Sequence, residues 1–133
     1  MKKLYLLLFL FLTPNLAFTE DILYCSAEKS VGFSPKQNYK ITNFKEERFK
    51  IKVDFVQNKI ESTKLLFISA LPDSQSCLKR NDKVHGNFLA CTNQYGKTFT
   101  INETTLNYRV AHVSNDINQT DDLSLEYGKC ERF

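Results

Sequence analysis

Four cysteines, Cys25, Cys77, Cys91 and Cys130, constrain this 133-residue chain more than any other feature. Whether they act as staples, metal ligands or redox groups depends on compartment, and the first twenty residues bear on that. Met1-Lys2-Lys3 is a short cationic start, Leu4 to Leu12 is an unbroken apolar run, and Thr13-Pro14 breaks it before small and polar residues. That is the layout of a cleavable secretory leader. The run is too short to span a bilayer, which takes about 20 residues. Ala17-Phe18-Thr19 supplies a small-x-small site, so cleavage is expected after Thr19, with Ala17 as the alternative. Bulky Leu23-Tyr24 before Cys25 does not suit a lipid-attachment signal. The chain thus divides into a leader, residues 1–19, and a single domain, residues 20–133, exported to a periplasm or, alternatively, secreted.

An even number of cysteines in a short exported chain reads as disulfides. The expected pairs are Cys77–Cys91 and Cys25–Cys130. The first brackets a polar stretch, CLKRNDKVHGNFLAC, read as a wide loop between two strands; the second joins the first strand of the domain to the last. In the chain-entropy model a ~15-residue loop contributes about 3 kcal/mol and a ~100-residue loop about 4.7 kcal/mol. Zinc sites need close pairs such as C-x₂₋₄-C, whereas the nearest two cysteines here are fourteen apart. A redox C-x-x-C is absent, and His85 and His112 add no spaced ligand set. No cofactor and no metal are expected.

The leader also biases the charge. The whole chain has 18 basic and 15 acidic residues, but Lys2 and Lys3 leave with the leader, so 16 stand against 15. A net +1 gives no support for a nucleic-acid or membrane-surface partner.

Downstream, the pattern alternates rather than cycles. In RFKIKVDFV, Phe49, Ile51, Val53 and Phe55 share one side and Lys50, Lys52 and Asp54 the other, which is a strand with one wet face. Asn58-Lys59 suits a tight turn, followed by TKLLFIS as a return strand and a break at Leu71-Pro72-Asp73-Ser74. FLACT and KTFTIN flank Asn93-Gln94-Tyr95-Gly96, a hairpin connection ending in Gly96. LNYRVAHVS sets Leu106, Tyr108 and Val110 against Asn107 and Arg109; ILYCSA and NYKITNF are shorter β-like runs; Lys45 to Arg48 fits a helical turn or a loop. The fold class is all-β: a single small antiparallel barrel or sandwich of about seven to eight strands. With 11 Phe, 6 Tyr and no Trp, the core is expected to rest largely on Phe and Tyr. Leu123, Leu125 and Tyr127 share one face of DLSLEY, and strict alternation puts Cys130 on the other. A bulge at Gly128 would return Cys130 to the interior.

No catalytic group emerges. DINQTDDLSLEY spaces Asp116, Asn118, Thr120 and Asp122 by two, as a calcium loop does, but Asp121 and Tyr127 stand where the turn glycine and bidentate glutamate belong. Arg109 and His112 fall on opposite faces of one strand. The sequons at Asn102 and Asn118 are of the kind an Asn- and Thr-rich chain forms by chance. RFKIKVDF interleaves basic and aromatic residues, yet its aromatics lie on the buried face, against a single-strand nucleic-acid platform. The candidate interaction loop is the polar stretch carrying Lys79, Arg80, Asp82 and His85.

LYCSAEKSVGF after the leader, LACTNQYGKTFTIN and DDLSLEYGKCERF together resemble small exported proteins of unknown function from marine alphaproteobacteria, which implies no activity. An early Tyr24-Cys25 and a late Cys130 stapling the ends also make the chain similar in architecture to periplasmic C-type lysozyme inhibitors. Where those carry S-G-x-x-Y, this chain has His85-Gly86-Asn87-Phe88. The expected function is a non-enzymatic binding or envelope-associated protein. The alternatives are an inhibitor of a lysozyme-type hydrolase, presenting the polar loop, and a carrier of a small ligand in a barrel cavity. The partner expected is an envelope protein or hydrolase, with no membrane span once the leader is removed.

Overall fold

The structure, a computed structural model, describes residues 21–62, 76–92, 96–113 and 123–132. Alternation dominates these segments, and they form nine strands: β1 (Asp21–Phe33), β2 (Ile41–Asn43), β3 (Arg48–Asp54), β4 (Lys59–Ser62), β5 (Ser76–Asp82), β6 (Gly86–Thr92), β7 (Lys97–Asn102), β8 (Asn107–His112) and β9 (Leu123–Arg132). All pairings are antiparallel. Eight strands run in the order β4-β3-β1-β9-β8-β7-β6-β5, and β2 lies beside the far half of β1. The sheet coils into a nearly closed barrel, which decides between barrel and sandwich. At the open seam, Lys79 on β5 has its Nζ 3.5 Å from the Phe55 carbonyl of the β3–β4 turn and 3.0 Å from the Glu103 carboxylate.

Both expected disulfides are present. Cys25 faces Cys130 directly across β1 and β9, with Cα atoms 3.9 Å apart and a separation of 105 positions in sequence. Cys77 faces Cys91 across β5 and β6, 4.1 Å apart at the Cα. The stretch between the latter two is not a wide loop. Its residues form two strands, paired from Ser76–Thr92 to Asp82–Gly86, and only residues 83–85 turn. Polar composition there goes with exposure of β5 at the end of the sheet order, where Leu78 to Asn81 are all exposed, and not with irregular chain.

A bulge exists where β1 meets β9, but on the other strand from the one expected. Cys25–Cys130, Ser26–Lys129 and Ala27–Gly128 pair in regular steps; the register then shifts, and Lys29 pairs with Tyr127. The extra residue is Glu28. Gly128 is regular, and β9 buries Gly128 and Cys130 while exposing Leu125, Tyr127 and Lys129. Leu125 and Tyr127 therefore lie outside the barrel, so Cys130 needed no correction to point inward. The residues opposite the bulge on the other side of β1, 44–47, leave the ladder without changing its register, held by Ala27 N–H donating to the Glu47 carbonyl (2.9 Å) and Phe44 N–H to that of Ser30 (2.9 Å). Lys45 to Glu47 thus form a loop, and Arg48 opens β3.

Inside, Leu23, Ile51, Val53, Ile60, Leu89, Phe99, Ile101, Leu106 and Tyr108 pack into one core with the Cys25–Cys130 bridge. Ile51, Val53 and Phe55 are buried and Phe49 packs on the core, as the alternation implies. Asp54 is also buried, contrary to its expected wet face. Its Oδ1 accepts the Val56 and Gln57 N–H groups at 2.8 Å each and builds the turn that ends in left-handed Asn58. The core is mainly aliphatic rather than aromatic. Its aromatic centre is Tyr108, edge-on to Phe49 at 5.2 Å and stacked on Phe99 at 5.6 Å. Gly128 makes room for that ring: a Cβ there would collide with the Ser26 carbonyl oxygen and meet the ring at 2.7 Å. Gly96, left-handed at φ 76°, accepts Val113 N–H on its carbonyl at 3.1 Å; Asn93 to Tyr95 lie outside the described residues. So do the leader, the TKLLFIS return beyond Ser62, the Leu71-Pro72 break and the Asp116–Asp122 loop.

Candidate binding face

The Glu28 bulge determines which side chains of β1 face outward. Before it the even residues Ile22 and Tyr24 are exposed; after it, Lys29 and Phe33 are exposed while Ser30 and Gly32 are buried. The registers then assemble three outward rows across β2, β1, β9, β8 and β7. At the barrel rim Ile41 faces Phe33, which faces Leu123; Val113, directly after β8, extends this row. The second row is Val31–Leu125–Ala111–Thr98, and the third is Lys29–Tyr127–Arg109–Thr100. Adjacent side chains within a row are one strand spacing apart, about 4.8 Å, and successive rows lie about 6.8 Å apart along the strands.

This surface departs from an ordinary strand exterior. Exposure reaches 75% at Ile41, 62% at Leu125, 60% at Val113, 49% at Tyr127 and 42% at Phe33. With Tyr39 on the β1–β2 connection, these make six of the eleven exposed large hydrophobic side chains among the described residues. Single exposed hydrophobics carry no meaning, whereas a contiguous set marks an interaction surface. The second and third rows line an open concavity of about 800 Å³. No ion pair joins Lys29 or Arg109 to a described residue. Glu28, on the bulge, is the acid at the margin away from the rim.

Behind the face, inside the barrel, Tyr108 Oη donates to Glu126 Oε1 at 2.9 Å. Burial raises the Glu126 carboxyl above its ordinary range, and nearby Glu47 adds to this; hydrogen bonds from Tyr108 and Ser30 act in the opposite sense. Burial likewise raises the Tyr108 phenol, helped by Glu126. The pair anchors Tyr108 over Gly128.

The candidate loop residues are not all brought together. Asp82 and His85 meet in the β5–β6 turn: Asp82 Oδ1 accepts the N–H groups of Val84 (2.8 Å) and His85 (3.2 Å), and Oδ2 lies 3.1 Å from His85 Nδ1. The Val84 N–H and then the His85 contacts hold the Asp82 carboxyl below its usual range. Lys79 is instead committed to the seam, and Arg80 stands exposed on β5 facing Phe88 of β6. Asn102 joins turns, with Oδ1 accepting from Thr104 and Thr105 N–H and Nδ2 donating to the His85 carbonyl at 2.7 Å. That is a structural role for the first sequon; Asn118 lies outside the described residues. Arg109 and His112 do fall on opposite faces.

Among the described residues, no group of three or more His, Cys, Asp or Glu side chains is placed to share a metal ion, and no helix is long and apolar enough to cross a membrane. The two disulfides belong to an oxidising, extracellular or periplasmic environment. No family model, curated protein or solved structure matches the chain.

Proposed function

We propose that the protein is an exported, non-enzymatic binding domain of the bacterial periplasm, and that it binds through the outer face of β1, β9, β8 and β7. The observation that carries this reading is the gathering of Phe33, Ile41, Leu125 and Tyr127 beside Lys29 and Arg109 on one side of the barrel. The leader pattern and the disulfides support the compartment. Hydroxyl-radical footprinting of the processed chain, with and without an envelope fraction, tests the face. Protection is expected at Phe33, Leu125 and Tyr127 with the Val84 turn unprotected; protection absent from these three side chains overturns the assignment.

A specific observation favours one second reading, inhibition of a lysozyme-type hydrolase. The Asp82–His85 turn is braced by the Asp82 carboxylate, tied to Asn102 and stapled by Cys77–Cys91, with Val84 at its tip 83% exposed. Under that reading stoichiometric protein lowers lysozyme turnover and Val84→Asp restores it; unchanged turnover removes it. A carrier with an interior cavity lacks such support, since Leu23, Ile51, Leu89, Ile101 and Tyr108 fill the interior between the described strands.

A further inference from the structure

Charges of both signs line the concavity, Lys29 and Arg109 with Glu28 and Glu126. Glu126 is engaged by the Tyr108 hydroxyl. Glu28, Lys29 and Arg109 form no ion pair with a described residue. They stand on opposite sides of Tyr127: Glu28 and Lys29 come from the bulge on β1, and Arg109 comes from β8. Acid and base are thus held apart on one apolar face. An isologous contact sets a patch against itself, so such a patch must carry both halves of every pair it makes.

Side-chain size divides about β9 in the same way. The second row steps from Val31 on β1 through Leu125 to Ala111 on β8, and the hollow continues over Thr98 and Thr100 of β7. Bulk lies on one side of β9 and space on the other. A two-fold axis in the contact plane and parallel to β9 leaves each row facing its own row and exchanges β1 with β8. Val31 of each copy then lies over Ala111 of the other, while Leu125 meets Leu125 and Tyr127 meets Tyr127 on the axis. Glu28 comes over Arg109 of the second copy. Lys29 comes within reach of that copy's Tyr127 ring, where a cation over an aromatic face is favourable. An axis across the strands would instead set β1 on β1 and β8 on β8, with Arg109 against either Arg109 or the apolar rim. Size and charge therefore select the same axis.

Resting on the binding face proposed above, we infer that a second copy of the chain occupies it in the absence of an envelope partner, through an isologous contact of β1, β9 and β8 in which Glu28 pairs with Arg109 across the two-fold axis. Three strands make a contact at the small end of protein interfaces. The pairing is therefore reversible with concentration, and it gives way to an envelope partner that needs the same side chains.

Sedimentation velocity tests this on the processed chain, Glu20–Phe133, which carries every strand described. The parent is expected to move from monomer to dimer as its concentration rises. Arg109→Glu and Glu28→Arg are each expected to weaken association by about a hundredfold, because like charges then meet twice across a symmetric contact. Arg80→Glu, on exposed β5, is expected to associate like the parent. The deciding sample is an equimolar mixture of the two weakened variants. In that mixture each altered residue meets its opposite in the other chain, so a dimer containing one of each is expected to return. A parent that stays monomeric at the highest soluble concentration overturns the inference, as does a mixture that stays monomeric or an Arg80→Glu variant that is weakened equally. If the parent is monomeric while an envelope fraction still protects Phe33, Leu125 and Tyr127 in footprinting, the binding face stands and self-pairing falls. If the mixture dimerises while the envelope leaves those side chains unprotected, self-pairing stands and the envelope reading falls.

Discussion

The two halves of β1 share a strand and a partner in β9, yet they do opposite things. From Asp21 to Ala27 the odd residues turn inward, and Leu23 and Cys25 are sealed in the core. From Lys29 to Phe33 the odd residues turn outward, and Phe33 is presented while Ser30 and Gly32 take the interior. One inserted residue, Glu28, separates the two regimes. Because side chains alternate with period two, a one-residue shift moves every following side chain to the other face. The half stapled to the chain end stabilises the barrel, and the half beyond the bulge furnishes its surface.

The largest way to break the sealed half is through its staple. Removing Cys25–Cys130 in Cys25→Ala/Cys130→Ala is expected to cost up to about 4.7 kcal/mol, against about 3 kcal/mol for Cys77→Ala/Cys91→Ala. Urea unfolding of the two double variants measures the order, and a larger loss from the hairpin pair would contradict it. Next is Gly128→Ala, where the added methyl meets the Ser26 carbonyl and the Tyr108 ring. A cost of about 1–3 kcal/mol is expected from overpacking; a variant as stable as the parent would show that Tyr108 does not need this space.

A smaller effect sharpens the boundary between the halves, where Glu126 faces Ser30. Its folded carboxyl is raised by burial, so the folded chain holds the proton more tightly than the unfolded one. The stability this contributes is complete below the ordinary carboxylate range and is lost as pH rises through the raised folded value. Glu126→Gln cannot ionise. Its melting temperature is therefore expected to gain on the parent as pH rises from about 4 to about 8, and a difference that stays constant with pH would refute the shift. On β2 and β9 beside the presenting half, Ile41→Ser/Leu125→Ser is expected to change stability by only about 0.5 kcal/mol, as exposed substitutions do.

The disulfide pairing was legible because the compartment implied staples and the cysteines sit at strand positions that face each other. The alternation of Phe49, Ile51 and Val53 was legible because that strand has one wet and one buried face. Leu123, Leu125 and Tyr127 misled for the same reason, read backwards: an apolar face is normally the inner face, and here it is the outer one. Correctly locating Cys130 inside while keeping those three inside forced a bulge onto Gly128, when the ladder bulges at Glu28. Asp54 misled because a buried carboxylate serving two backbone N–H groups has the same letter as a solvated one. Local rules that fail together in one place, as they do along β1 and β9, mark a site where the surface serves something other than stability.

The most direct measurement is to take Ile41→Ser/Leu125→Ser and the parent through urea unfolding and co-sedimentation with an envelope fraction. Stabilities within about 0.5 kcal/mol of each other, together with loss of envelope binding in the variant, are the predicted result. A variant that unfolds like the parent and still sediments with the envelope fraction would contradict the assignment of this face.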